Sequence, residues 1–529
     1  MPNVVPLPFR YKNIDTPIKC DRNLIKVYPQ QGSIQYKYSG TNKIIFRLPN
    51  TKSTLIDMKR SMLSFDLELG AVSGFQQAAN STGALNFTSQ TVLDNVNNEI
   101  VVPKSWYDAV STGDAVVYAA GASGAGGPLT DGTTYYAIKT SSLDRVSIAT
   151  SRANALSSTM VAFSGQASGG VAHTLTTTHP DYATPSLNDA LSWCDRVIIR
   201  CGNQIISDVQ SENLIRQIND EMTVQPEAKD GLRSILTGEG STEAKRVEIY
   251  SGTAKNTGTK RRFTVPINMY VDATMVPVGF VNYAFEITFH LANPLDCVKI
   301  DSGALNTATT ADYTIDNIQW LVEEVSPLDS SYIGALSTQL AAGIDVPFTT
   351  CEHSVHTIDA GSGAKTIEIP TRNRSTKGII WVARNQADIQ KLNKDKLKVY
   401  NYNSMSEIHY RLNSQLYPQQ PIDCTNGATE NFLELCKYYD LVSTYNGVAT
   451  RNTTNNVNNS TYTNGKFINT FGFSTHPNTN YISGKNLTSA SSSLVLKINC
   501  NPTETQQIDV FIEYDAILTL STTKVDLKR

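Results

Sequence analysis

Residues 262–325 read RFTVPINMYVDATMVPVGFVNYAFEITFHLANPLDCVKIDSGALNTATTADYTIDNIQWLVEEV, and their pattern decides how the chain divides. Two strand-like runs, Phe263–Tyr270 and Asn282–Leu291, come first; a polar bridge rich in Ser, Gly, Asn and Thr follows, and Tyr313–Val325 resumes the β pattern. The stretch reads as a seam that closes one β-domain and opens a second. Ala292–Thr310 is then the connector that sets how the second domain stands beside the first.

The size of the chain agrees with a division. Its 529 residues exceed one ordinary hydrophobic core, so two or three domains are expected. Apolar residues at 40% and charged residues at 18% describe a globular chain rather than a disordered one. Tyr, Thr and Asn are plentiful and long Leu/Ala/Glu/Lys helices are scarce, which leans to an all-β protein. A net charge of −3 and a pI near 6.2 argue against tight generic nucleic-acid binding, which needs a basic face. The local basic excess, Arg10, Lys12, Lys19, Arg22 and Lys26, with Lys524, Lys528 and Arg529 at the other end, suits solvated tails or contact with a negatively charged layer or a neighbouring subunit. Eight cysteines without any CxxC spacing read as reduced, buried thiols. No run approaches the roughly 18 apolar residues of a membrane helix, and MPNVVPLPFRYKN lacks the continuous apolar core of a secretion signal.

Outward from the seam, the rest of the chain falls into blocks. Residues 1–30 are proline-bearing without periodicity and read as an N-terminal arm able to reach a neighbour. Residues 31–300 form a first β-domain, with strand-length pieces at Ser33–Tyr38, Lys43–Leu48, Ser61–Leu69 and around Val197–Arg200. Within it, about 85–180 is rich in Gly, Ala, Ser and Thr and has its own turn rhythm around Asp114–Tyr118, Thr134–Lys139 and Arg145–Ala149, so it is expected to be an inserted small β-domain. Residues 301–520 form the second β-domain, with strands at Ile367–Ile369, Gly378–Arg384, Lys396–Tyr400, Met405–Leu412, Ser493–Asn499 and Gln507–Leu520; 521–529 is a tail. Asn213–Met222 and Thr429–Tyr439 have helical spacing, one in each half. Residues 226–260 and 446–466 read as polar loops. Each half is the size of one eight-stranded jelly roll with its loops, so tandem jelly rolls are the expected architecture.

Three places resemble a known family, the double jelly-roll major capsid proteins of virophages, Polinton-like viruses, large eukaryotic DNA viruses and tailless icosahedral phages. Arg262–Val298 resembles that family's first-barrel ending; Tyr410–Tyr438, YRLNSQLYPQQPIDCTNGATENFLELCKY, resembles the strand, Tyr-Pro turn and helix of its second barrel; Gly484–Leu520 resembles its closing strand pair, with Asn-Leu-Thr-Ser in place of the Asn-Phe-Ser common in larger relatives. The resemblance implies a homotrimer whose six barrels form a pseudo-hexagonal tile of an icosahedral shell around double-stranded DNA. It further implies synthesis inside the host cell, and neighbouring capsomers, penton and minor capsid proteins as partners. The insert would be an outward decoration, with a host receptor or glycan as its candidate ligand. Sequence-specific nucleic-acid binding is not implied, and an internal membrane is left open.

No constellation in the sequence supports catalysis, a cofactor or a metal. Cys351, His353 and His356 are the densest set of metal-ligand types, but on a strand the two histidines face opposite sides, and an exposed loop is the favoured reading. His173, His179, His290, His409 and His476 are scattered singly, and no Gly-x-Ser-x-Gly elbow is present. Glu323 and Glu324 are adjacent and would diverge on a strand; Asp66 and Glu68 share a face but read as a solvated edge. Gly121–Gly127 lacks the Gly-Lys-Ser/Thr ending of a phosphate loop. Trp106, Tyr107, Tyr135 and Tyr136 could form a sugar-binding platform or simply the insert's core. The alternative to a capsid role is accordingly a multidomain β-sandwich surface adhesin that binds host glycans through the insert.

Overall fold

The computed structural model of the chain describes residues 19–529 apart from 49–52, 71–83, 89–92, 95–96, 103–106, 108–109, 111, 121–128, 141–144, 164–171, 178–183, 225, 240–259, 268–274, 302–310, 393, 413–414, 442–456, 458–460, 475–483 and 490–492. Alternating apolar residues build eight principal strands in the first half: β1 (Cys20–Val27), β2 (Lys43–Arg47), β3 (Leu55–Leu69), β4 (Cys194–Cys201), β5 (Gln204–Gln210), β6 (Arg261–Pro266), β7 (Phe285–Leu291) and β8 (Tyr313–Pro327). The second half repeats the set with β9 (Ile344–Ile358), β10 (Gly363–Ile369), β11 (Thr376–Asn385), β12 (Glu407–Leu412), β13 (Gln415–Asp423), β14 (Ile468–Gly472), β15 (Leu494–Cys500) and β16 (Gln506–Leu520).

The two halves have the same topology. In the first, the sheets run β1-β8-β3-β6 and β5-β4-β7-β2; in the second, β9-β16-β11-β14 and β10-β15-β12-β13. Each half therefore places its first, eighth, third and sixth strands in one sheet and its second, seventh, fourth and fifth in the other, the jelly-roll arrangement of two Greek keys. A short extra strand joins one sheet of each half, Gln35–Tyr36 on β8 and Val525–Lys528 on β16.

Aromatic side chains fill the space between the sheets. Trp320 on β8 meets Phe46 on β2 edge-on at 6.2 Å, and Phe65 on β3 meets Trp193 beside β4 at 5.5 Å. In the second half Trp381 on β11 donates its indole N–H to the Tyr410 hydroxyl on β12 at 3.0 Å. All six side chains are fully buried, and burying each contributes about 1.5–3 kcal/mol.

β8 explains why the seam misleads when read from sequence. Its inward residues are Tyr313 and Ile315, then Ile318, Trp320 and Val322, so the alternation slips by one. The slip is a bulge: Asp316 pairs with Asp66 but the next partner of β3, Ser64, faces Gln319, and Asn317 takes the left-handed backbone at φ 49°. β8 is hydrogen-bonded to β1 and β3, both of the first half. The division between the halves thus falls after Pro327 rather than at 300, and Tyr313–Val325 closes the first jelly roll instead of opening the second.

Helices fill equivalent places. α1 (Glu212–Thr223) follows β5, and α3 (Thr429–Tyr438) follows β13. Between them α2 (Ser330–Ala342) joins the halves; Asp329 caps it by accepting from the Ser331 N–H at 2.9 Å, and Gly343, at φ 98°, ends it. Two short helices, Pro226–Asp230 and Leu232–Leu236, occupy the start of the expected 226–260 loop.

Other expectations are corrected by pairing. Residues 20–27 of the expected arm form β1, because their backbone completes a ladder on β8; residues 1–18 lie outside the described residues. The tail contributes Val525–Lys528 to a ladder with β16. Lys396–Tyr400 is not a strand: turns lead to Tyr400, which makes only an isolated bridge to Lys466. The Tyr417-Pro418 step lies within β13 rather than in a turn.

The insert is a separate compact unit, Val72–Thr184 with Ile300–Thr309, somewhat wider than 85–180. Its sheet runs Ala84–Thr88, Ala172–Thr177, Ala115–Ala119, Thr134–Lys139, Arg145–Ala149, Glu99–Val101 and Leu93–Asp94, over a core that includes Ile100, Val116, Tyr118, Ile148 and Leu175.

Because Trp320 belongs to the first half's core, Trp320→Ala should cost about 3–5 kcal/mol in urea unfolding. A double-mutant cycle with Phe46→Leu should return a coupling of about 0.5–1.5 kcal/mol. Coupling near zero would return β8 to the second half.

Candidate functional site: the ionic join between the halves

A cluster of buried ionisable side chains lies where the two jelly rolls meet. α1 buries Leu214, Ile215, Ile218 and Met222 in the same apolar cluster as second-half residues such as Cys351 and Trp381. The register of that apolar face carries Asn219 and Glu221 to the second half as well. Asn219 Oδ1 accepts from the Tyr439 hydroxyl at 2.7 Å. Glu221 Oε1 lies 3.3 Å from Lys466 Nζ, 3.6 Å from Lys229 Nζ and 3.9 Å from Lys398 Nζ, with Glu221 and Lys398 both buried. Burial alone would raise the Glu221 carboxyl, but Lys466, Lys229 and Lys398 outweigh it and hold the group below its ordinary range.

Further polar links flank this centre. Asn188 Nδ2 donates to Asp395 Oδ1 at 2.9 Å, and Lys299 Nζ lies 3.6 Å from Asp395 Oδ2. Lys396 donates to the carbonyl oxygens of Leu295 and of Val298, the latter at 3.1 Å, and burial brings its ammonium down to about 8. Ser207 and Thr350 share a hydrogen bond of 2.7 Å from β5 to β9. Between these contacts an apolar pocket is lined by Leu48, Ile199 and Ile287 from one half and Val346, Leu518 and Leu520 from the other.

Two more clusters back the join. Asp189, Asp220 and Glu239, all buried, bring carboxylate oxygens within 4.8 Å of one another. Arg216 binds Asp189, and Arg233 Nη1 reaches Asp220 at 2.8 Å and Glu239 at 3.0 Å, so guanidinium groups already supply the positive charge a cation would bring. On the second half Asp509 accepts from Arg384 Nε at 2.8 Å and lies 3.2 Å from His353 Nε2. Burial pushes the Asp509 carboxyl up, but Arg384 and His353 prevail and keep it low. Charges buried with partners on two different segments hold one arrangement of those segments; they do not leave a base beside a nucleophile.

The sequence-derived candidates are dispersed. Cys351, His353 and His356 lie on β9, not in a loop; Cys351 is in the apolar cluster, His353 stacks on Phe511 at 4.5 Å, and His356 shares a hydrogen bond of 3.1 Å with Ser354. His290 is on β7 and His409 on β12, each with its imidazole pushed down by burial. Glu323 pairs with Arg22 at 3.0 Å while its neighbour Glu324 is buried. Asp66 is held bidentate by Arg262 at 2.7 and 2.9 Å; that contact first, with Asn317 behind it, lowers its carboxyl. In the insert, Tyr135 accepts from the Thr130 N–H at 2.9 Å and Tyr107 donates to the Thr140 carbonyl at 2.7 Å, and both rings belong to its core. Trp106, His179, His476 and Gly121–Gly127 lie outside the described residues, as does the side chain of His173. The eight cysteines are free, and all but Cys20 are buried.

Sequence reading missed the join because Glu221, Lys398 and Lys466 look like ordinary solvated charges, and nothing local says that they meet. The one usable signal was α1 itself, whose polar positions Asn219 and Glu221 sit beside the apolar face predicted from spacing.

Comparison with solved structures identifies the fold. A chain of the PBCV-1 virus capsid, in its quasi-atomic model, superposes with a TM-score of 0.53 at 11% identity, covering 98% of this chain and 99% of that one. The Faustovirus major capsid protein superposes with a TM-score of 0.55 at 9% identity, covering 97% and 92%. A scan against protein-family models and a search of curated proteins give no match. The chain has the double jelly-roll fold of these major capsid proteins over nearly its whole length.

The join makes a pH prediction. The folded Glu221 carboxyl lies below the roughly 4.3 of an unfolded chain, so its stabilisation is complete above that value and is lost as pH falls through the folded value. Glu221→Gln should cost about 3–5 kcal/mol near pH 7 and make the acid limb of stability shallower in urea melts from pH 3 to 7. An unchanged acid limb would remove Glu221 from the join. Lys396 acts in the same direction in a higher window: its folded value near 8 lies below the ordinary 10.5, so its contribution also rises with pH between them.

Proposed function

We propose that the chain is a viral major capsid protein that assembles as a homotrimer, three copies placing six jelly rolls in a pseudo-hexagonal tile of an icosahedral shell around double-stranded DNA. The observation that carries this reading is the repeat of one strand order in both halves, over nearly the full length of chains that build viral capsids. Two like barrels fixed side by side are one third of a six-membered ring, and closed cyclic symmetry supplies the rest. The buried join suits this task, because a tile whose barrels changed orientation could not keep a constant outline. The role is structural and not enzymatic, and its place is the shell of the virion. Among the described residues no helix is long and apolar enough to cross a membrane.

The insert, as a compact unit with its own core, serves as a decoration on the outer face of the tile, open to a host receptor or glycan. Neighbouring tiles, penton and minor capsid proteins are the remaining partners. The adhesin alternative has less behind it, since Tyr107 and Tyr135 are spent on the insert's core rather than displayed as a sugar platform.

Light scattering on the purified chain should give three times its 57.9 kDa, and electron microscopy of assembled material should show closed shells. A stable monomer with glycan affinity and no shell formation would overturn the reading. Deleting 72–184 should leave the trimer mass unchanged within error while reducing attachment of particles to cells; loss of the folded trimer would show that the insert is not modular.

A further inference from the structure

Glu513 and Asp515 stand two residues apart on β16 and so share one face of the sheet. β11 runs beside them with a bulge: Thr376 pairs with Tyr514 and Gly378 with Glu513, which leaves Lys377 as the extra residue. Its Nζ lies 3.5 Å from Asp515 Oδ1, and the two side chains are only 7% and 4% exposed. That separation is longer than the roughly 2.7–2.9 Å of a charge-assisted hydrogen bond. The amine donates to Thr349 Oγ1 on β9, at 3.2 Å.

Both oxygens of Asp515 receive neutral donors. The Thr349 hydroxyl donates to Oδ1 at 3.0 Å and the Ser375 hydroxyl to Oδ2 at 3.2 Å. Ser375 is itself fixed by accepting from the Gly484 N–H at 3.0 Å. The contrast with Glu221 is chemical. There the lysines prevail over burial and keep a carboxylate, which is a poor electrophile. Here burial outweighs Lys377 and the two hydroxyls and raises Asp515, which favours the neutral acid that an amine can attack. Glu513 is raised as well, by burial against the opposing Tyr438 hydroxyl and Lys377.

We propose that Lys377 and Asp515 condense to an intramolecular isopeptide bond that ties β11 to β16 within the second jelly roll. Nζ, as the free amine, adds to Cγ of the protonated carboxyl, and the Thr349 and Ser375 hydroxyls stabilise the charge that develops on its oxygens. The Nζ–Cγ bond forms and one Cγ–Oδ bond breaks. The departing oxygen takes the two protons that the ammonium loses and leaves as water, with Glu513 as the relay between nitrogen and oxygen. Nothing is oxidised or reduced. The folded sheet supplies proximity, and one neutral amide replaces two buried charges that each cost several kcal/mol to keep from water. The link lies inside one jelly roll and is independent of the assembly reading.

Intact mass of the denatured full-length chain decides the matter. The parent should be lighter than its sequence mass by one water, and fragmentation should show the peptides of Lys377 and Asp515 joined through their side chains. A folded parent at full sequence mass overturns the proposal and leaves an ion pair only. Lys377→Arg keeps the charge but should restore the full mass; a water loss that survives it overturns the assignment. Asp515→Asn should lose one ammonia instead, because the same amide forms with a different leaving group. Glu513→Gln should fold and yet accumulate the unlinked mass, and complete linkage in that variant would overturn the relay. The parent needs no substitution, so a variant that fails to fold leaves the first measurement decisive.

Discussion

A carboxylate withdrawn from water needs a cation, and in this chain the cations that satisfy Glu221 come partly from the far end of the sequence. Lys229 is local to α1, but Lys398 and Lys466 belong to the second jelly roll. A shift of one half against the other that left the join dry would separate Glu221 from Lys398 and Lys466 and strand a buried charge, at a penalty of several kcal/mol per ion. Apolar packing around Leu214, Ile218 and Met222 supplies most of the adhesion, but it is tolerant of sliding; the charge pairs are not. The orientation of the two barrels is therefore specified by polar groups laid over an apolar contact that favours closeness without choosing an angle.

What could be read from sequence followed the range of the interactions. Strands with regular alternation, such as Arg145–Ala149 and Gln506–Leu520, and the two helices that follow the fifth strand of each half were legible because their pattern is local. β9 was not, since Ile344–Ile358 contains Pro347, which an edge strand tolerates, and polar residues such as His353 and Thr350 whose partners lie on other strands. β8 was recognised as a strand but assigned to the wrong half, because the bulge at Asn317 disguises its face and only pairing with β3 shows where it belongs. β1 was read as an arm because an edge strand with little to bury has little periodicity. The join escaped altogether: its charges are ordinary in composition and unusual only in whom they meet.

Other polar candidates are likewise engaged by partners on neighbouring strands. His353, the most suggestive residue of the Cys351–His356 segment, is engaged by Asp509 and Phe511, and Asp509 is itself engaged by Arg384. Asp66, once a candidate acid, is clamped by Arg262 across β3 and β6. These groups have been used to fix strands, and a side chain used that way has lost the freedom that proton transfer or ligation demands. A chain of this size must bury some polar residues, and pairing them across strands is how they add register to a core.

α2 joins the halves as thirteen helical residues, about 20 Å of rod, capped by Asp329 at one end and stopped by Gly343 at the other. A connector of this kind makes a poor hinge. Domain exchange between copies generally needs a linker that can straighten, and while α2 stays folded each second jelly roll remains with its own first. In the assembly proposed for this chain, every barrel would have near-twins within reach, and a folded α2 would keep each second jelly roll from entangling with another copy's first.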